Sequence, residues 1–441
     1  MSAIRNSVGE ETFIRLEAVA ETEVALAMQM PLLDKWGKEK YYQRRALLTE
    51  LLSLFQEFEE KDLKIAPLDI VTICFKAKLL KACQTDHEFA QRAGGSDLFA
   101  ERAFVFSWSE KSEKIEDIIE KHLLALEGSI IKRALVVEIS DLRDFETEKT
   151  RSEFFDGFFG KFDPSYRAYV DFDQEKRHAK FNKTFTDLYP GAGADSIRHC
   201  PLAFSYETEG SWTYVYFVGT ARLRAFLNVL RVAAFLYPAQ VDFGTGKVQI
   251  MAPSSPYMLR PEAMGGGYSW EEDEKKPWEK IPDGVLFLSF GYRGIVPMFL
   301  DGRNLGGVEK VFNESKVIFE HLKNPWTSPC ISDIAPTLDI LSSATQIPDL
   351  GAKILQIYCC LEHLFVPKGI TKDMTKYIIG AINVLKPELK PWFDDLYKLR
   401  NNYAHRGYVQ RTETTRSMTS TSVHNVLTLL VAKLNQSKPS M

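Results

Sequence analysis

Arg400-Asn401-Asn402-Tyr403-Ala404-His405 sets an arginine and a histidine five positions apart, with an amide directly after the arginine. These residue types can cleave a phosphodiester through the neighbouring ribose 2′-hydroxyl without a metal. Histidine moves protons near neutral pH, and arginine is a permanent cation for the crowded phosphate oxygens. On an α-helix Asn401 and His405 share a face, whereas Arg400 lies about 140° round from His405. One helix therefore cannot aim all three groups at one phosphate unaided, and a long arginine stem or a second copy of the helix must help.

Leu396-Tyr397-Lys398-Leu399 leads into the segment and Arg406-Gly407-Tyr408 leads out. In this setting the segment resembles the R-N-x-x-x-H signature of the HEPN superfamily, most closely its Apea-like branch. About forty residues upstream, Tyr358-Cys359-Cys360-Leu361-Glu362-His363-Leu364-Phe365 resembles the L-E-x-L-F segment of the family's earlier core helix. The resemblance covers about the last quarter of the chain. It implies an all-α bundle that pairs about a two-fold axis and a metal-independent endoribonuclease that needs no cofactor. In that reading Arg400, Asn401 and His405 are catalytic, and a 2′,3′-cyclic phosphate is left behind. It also implies a toxin-like role in antiviral defence by abortive infection. In one departure, Arg406 and Gly407 precede Tyr408, whereas a toxin sub-branch has tyrosine two residues after the histidine. Nucleotide transfer on that tyrosine is not carried over.

Around the motif the sequence leans basic: Lys386, Lys390, Lys398, Arg406, Arg411 and Arg416 outnumber Glu388, Asp394, Asp395 and Glu413. Lys398, Arg406 and Arg411 are the candidates to hold an RNA backbone. Glu362 and Tyr403 are candidate supporting residues, Glu362 through a charge-assisted pair with Arg400. His363 fits a structural position better than a catalytic one. The competing function class is a non-catalytic module that dimerises and binds RNA or a nucleotide. Retention of both arginine and histidine favours the enzyme, whose substrate is tRNA or mRNA.

The elements that must position these groups are helices. Ile354, Ile357, Leu361, Leu364 and Phe365 form one apolar stripe, opened by Pro348 and Asp349 and ended by Pro367 and Gly369. Further helices are expected over 371–385, from about 387–391 into the motif, and over 422–434. Together they make an antiparallel bundle across 331–441. Upstream, 1–97 reads as helical, with Leu47, Leu48, Leu51, Leu52, Phe55 and Phe58 on one face, and Gly94-Gly95 ends it. Residues 98–330 read as a mixed α/β sensor or regulatory domain, so the class is α+β. Its clearest strands are 103–106, 134–139, 202–206 and 212–218, the last two joined as a hairpin across Glu207-Thr208-Glu209-Gly210. Strands are also expected at 248–251, 285–290 and 296–300, and helices at 221–237 and 307–323. A restraint on a ribonuclease is the natural use of so large an upstream region, with a phage protein as its trigger.

At 441 residues, 45% hydrophobic and 26% charged, the chain is globular and long enough for two or three domains. A net charge of −4 gives no global attraction for nucleic acid, so contact must come from a local patch. Six cysteines without a C-x-x-C pair suggest reduced thiols in the cytoplasm. No signal peptide is evident. The most apolar run, 221–238, holds Arg222, Arg224 and Arg231 and is too charged and short to span a bilayer. Gly244-Thr245-Gly246-Lys247 lacks the rest of a phosphate loop and reads as a turn, and Asp242-Phe243-Gly244 lacks every other kinase element. Asp171, Asp173 and Glu175 with Glu138 read as an acidic loop and a strand rather than a metal-dependent nuclease. Pro190 to Asp195 and Gly265 to Pro277 read as loops.

Overall fold

The computed structural model describes residues 2–29, 38–85, 114–139, 160–163, 165–170, 202–238, 248–250, 257–259, 278–279, 298–300, 304–327, 329–410 and 412–437. In chain order the helices are α1 (Ala3–Val8), α2 (Glu10–Gln29), α3 (Lys38–Glu60), α4 (Pro67–Thr85), α5 (Ile115–Glu127), α6 (Trp212–Leu236), α7 (Leu305–Glu314) and α8 (Lys316–His321). Then come α9 (Ala335–Gln346), α10 (Leu350–Phe365), α11 (Met374–Leu385), α12 (Lys390–Arg406) and α13 (Glu413–Gln436). The strands are β1 (Ile131–Ile139), β2 (Tyr166–Val170), β3 (Leu202–Gly210), β4 (Val248–Ile250), β5 (Tyr257–Leu259), β6 (Trp278–Glu279) and β7 (Met298–Leu300). The described chain is thus mostly helical with short strands, compatible with a mixed α+β class. No described helix is long and apolar enough to cross a membrane.

The chain divides into two compact units, one of residues 1–135, 207–218 and 257–289, the other of 136–206, 219–256 and 290–441. In the first, Ser2 caps α1 by accepting from the Arg5 amide, and Gly9 ends it at φ +87°. Phe13, Leu16, Leu54, Phe58, Ile70, Cys74 and Leu123 close a core among α2 to α5. On α3 Phe55 and Phe58 of the expected stripe are buried together with Leu54, and Leu51 packs on the same core, while Leu52 is 38% exposed. Strands β5 and β6 pair antiparallel, Met258 opposite Glu279.

The expected hairpin over 202–218 is not formed. Residues 202–210 are one strand, and a helix starts at Trp212. Alternating aromatics favoured a strand, yet Thr213, Tyr214, Val215, Tyr216 and Val218 are all buried, which leaves no solvent face for a period of two to mark. Ser211 decides the outcome as an N-cap. Its hydroxyl accepts from the Tyr214 amide at 3.2 Å, and its carbonyl accepts from Val215 at 3.0 Å. The same hydroxyl donates to Asp69, whose half-buried carboxylate also accepts from the Ala66 amide at 2.9 Å. Arg133, 1% exposed, donates to the Ser129 carbonyl at 2.6 Å and lies over the Trp212 ring at 5.5 Å.

In the second unit β2 and β3 pair antiparallel from Tyr166–Tyr206 to Val170–Leu202, and β4 pairs with β7 in the register Val248–Leu300. Phe162, Tyr166, Phe226, Phe312 and Phe319 form an aromatic cluster. The expected helix over 307–323 is two, α7 and α8, broken at Ser315. Asp339 on α9 takes both prongs of Arg224, at 2.8 and 2.5 Å, plus the Asn228 amide at 2.8 Å.

The four helices expected after 348 are all present, with α9 added before them. Asp349 caps α10 through the Ala352 amide at 2.8 Å, and Ile354, Ile357, Leu361 and Leu364 are buried as their spacing requires. Helix α12 begins with Pro391 in its first turn and ends at Gly407, whose φ of +71° and bond to the Tyr403 carbonyl close the last turn. A capping box of Thr412 and Thr415 starts α13. Trp392 bonds Ser422 at 2.9 Å, tying α12 to α13, and Lys433 bonds the Leu364 carbonyl at 2.8 Å, tying α13 to α10. The strands expected at 103–106 and 285–290, the loops at 190–195, 244–247 and 265–277, Gly94-Gly95 and the acidic run 171–176 lie outside the described residues.

Candidate active site on the motif helix

Arg400 is half-buried where α12 crosses α10. Its Nη1 donates to the Asn401 side-chain oxygen at 3.0 Å, and its guanidinium lies over the Tyr358 ring, 5.1 Å from the centroid. That separation suits a cation–π contact. Tyr358 is 2% exposed and its hydroxyl pairs with Thr375 of α11 at 3.2 Å. Phe393 stacks on Tyr358 at 6.1 Å and on Tyr397 at 6.3 Å, so three rings from two helices pack together behind the ring that Arg400 rests on. The Nε of Arg400 is buried without a partner. Donors from Asn401 and Thr375 hold the Tyr397 phenol below its ordinary range, against a smaller effect of burial.

His405 lies in the last turn of α12, exposed, with no hydrogen-bond partner among the described residues. It follows Arg400 by five residues, about 7.5 Å of helix rise. The turn beneath it carries Tyr403, whose ring occupies the space a Cβ at Gly351 would need. Burial, and then the Asp349 carboxylate, push the Tyr403 hydroxyl up. A side chain at 351 would collide with that ring, so a glycine in α10 sets the pose of a tyrosine two residues from the histidine.

Glu362 does not form the expected ion pair with Arg400, which is engaged by Asn401 and Tyr358 instead. Burial pushes the Glu362 carboxyl up, and the charge of Arg400 offsets part of that rise. Cys359 beside them is likewise raised, first by burial and then by Glu362. Lys398 is exposed and bonded to Asp395 at 3.0 Å, so its charge is partly answered within the helix. Arg406 is exposed, and Arg411 lies outside the described residues. His363 bonds the Ser332 carbonyl at 2.6 Å, which makes it a structural tie.

The structure therefore brings Arg400 and Asn401 together, leaves Glu362 unpaired with Arg400 though it feels its charge, and sets His405 further along the helix, at the surface. Tyr358, Thr375 and Tyr397 belong to the arrangement but were not singled out from sequence. A signal existed, since Tyr397, Asn401 and His405 recur every four residues, the spacing of one helix face. Among the described residues no group of three or more His, Cys, Asp or Glu could hold a metal ion. No protein-family model, curated protein or solved structure matches the chain. Its chemistry has to be argued from the site alone.

Proposed function

We propose that the chain is an endoribonuclease of the HEPN type that cuts tRNA or mRNA without a metal. The observation that carries this reading is an arginine docked on an aromatic floor, one turn before an unpaired, exposed histidine on the same helix. His405 withdraws the proton of a ribose 2′-hydroxyl, and the oxygen attacks the adjacent phosphorus. Arg400 stabilises the charge gathering on the phosphorane oxygens. The 5′-oxygen leaves with a proton, giving a 2′,3′-cyclic phosphate and a 5′-hydroxyl. Asn401 holds Arg400 in place, and Lys398, Arg406 and Arg411 add sequence-independent contacts to the backbone.

Because Arg400 turns inward and His405 outward, the complete cleft is that of a homodimer, in which a second copy supplies the missing side. Residues 1 to about 330 restrain this cleft and release it on a trigger such as a phage protein, making the protein a cytoplasmic abortive-infection toxin. Support for that role is the motif resemblance together with the large region outside the bundle.

Purified full-length protein incubated with total RNA in EDTA tests the reading, with His405→Ala as the control. Cleavage by wild type alone, leaving cyclic phosphate ends, supports it. Cleavage by both proteins alike removes His405 from the chemistry. RNA binding by wild type without cleavage points instead to a non-catalytic binding module.

A further inference from the structure

Arginine carries five N–H donors in one plane. In Arg400 one of them, on Nη1, is spent on Asn401, and the Nε donor is buried without a partner. The Nη2 nitrogen has no bond and is not among the buried unsatisfied atoms, so it reaches solvent. The side of the fork formed by Nε and Nη2 is therefore closed, and the end formed by Nη1 and Nη2 is open. The face of Tyr358, buried on α10 and secured through its hydroxyl to Thr375 on α11, lies with its centroid 5.1 Å from the guanidinium carbon.

We propose that Tyr358 is the positioning residue of Arg400: its ring seats the guanidinium so that only the terminal Nη1–Nη2 edge is presented to one RNA phosphate. The inference rests on the ribonuclease reading for its substrate, but the seat itself is a property of the free protein. The ring supplies a flat, negatively polarised surface that a planar guanidinium matches and an ammonium does not. Arg400→Lys should accordingly lose nearly all activity although the charge is kept.

Two readouts test it on the full-length chain. In cleavage assays Tyr358→Leu, which removes the π face, should lower kcat about tenfold, between the effects of an exposed and a desolvated cation–π contact, as befits a half-buried arginine. KM should change little. Tyr358→Phe keeps the face and loses only the Thr375 bond, so it should retain at least about a third of wild-type kcat. A merely structural tyrosine would instead lose activity in step with its melting temperature in both variants. The second readout needs no cleavage. In ¹⁵N-arginine-labelled protein the Arg400 Nε–H signal, identified by its loss in Arg400→Lys, should be shifted upfield by the ring and slow to exchange. It should move to a free position in Tyr358→Leu but not in Tyr358→Phe. If Tyr358→Leu does not fold, the wild-type signal decides: an unshifted, freely exchanging Nε–H overturns the seat. Wild-type kcat in a folded Tyr358→Leu does the same. A shifted, protected signal in a protein that cuts no RNA leaves the seat standing and sinks the ribonuclease reading alone.

Discussion

Gly351→Ala is a one-carbon change that tests how the histidine end of α12 is held. The new Cβ would stand 2.0 Å from Tyr403 Cδ2, 2.2 Å from Cε2 and 2.7 Å from Cγ. Ordinary carbon contacts are about 3.5–4.0 Å, so the ring must leave or the helices must part by roughly 1.5 Å. Overpacking of this kind costs about 1–3 kcal/mol. Alanine's better helix propensity returns up to about 1 kcal/mol. The net loss should be about 1–2 kcal/mol, a fall in melting temperature of about 2–8 °C by the usual conversion. Calorimetry gives the first number, and RNA cleavage should drop further than stability because Tyr403 lies two residues before His405. The sharper assay is a double-mutant cycle. In a Tyr403→Ala background the clash partner is gone, and Gly351→Ala should become neutral or stabilising. An equal penalty in both backgrounds would refute the account.

Arg400→Ala and His405→Ala should each abolish RNA cleavage and cellular toxicity while His405→Ala leaves the melting temperature unchanged, since its side chain is exposed and unpaired. Cleavage should persist in millimolar EDTA, and a strict Mg²⁺ requirement would transfer the chemistry to a carboxylate site. Coexpressed Arg400→Ala and His405→Ala chains should recover partial activity through mixed dimers; sedimentation showing a monomer that cuts at full rate would exclude the shared cleft. Asp69 is half-buried, and desolvation raises its carboxyl above the ordinary 3.8 despite bonds from Ser211, Thr213 and Ala66. The folded state thus holds this proton more tightly, a stabilisation present below about 3.8 and lost as pH rises through the folded value. Asp69→Asn should therefore melt at or above wild type at pH 8, with the gap closing toward pH 4.

The bundle was legible because its helices are amphipathic and punctuated. Asp349, Pro367, Pro391 and Gly407 mark ends that the structure keeps. Residues 212–218 were not legible, because burial on every side erases the polar phase that tells a helix from a strand. The cue that remained was one serine, and it outweighs seven residues of β propensity once its hydroxyl and carbonyl are both engaged. At the site, the motif named Arg400, Asn401 and His405 directly. Tyr358 and Tyr397 looked like ordinary members of apolar stripes, since sequence gives the face a ring occupies but not the cation that rests on it. The Glu362 pair failed for a related reason: opposite charges within reach did not meet because the arginine had nearer, flatter partners.

The buried and half-buried cysteines have a bearing on oxidative chemistry. Burial holds Cys74 up at about 12 and Cys330 at about 11, and raises Cys359 and Cys360 as well, even with Arg400 acting on Cys359. Oxidants and alkylating reagents attack the thiolate, and at cellular pH these four sulfurs remain almost wholly as thiols. Peroxide that silences thiolate-dependent enzymes would therefore spare these four sulfurs.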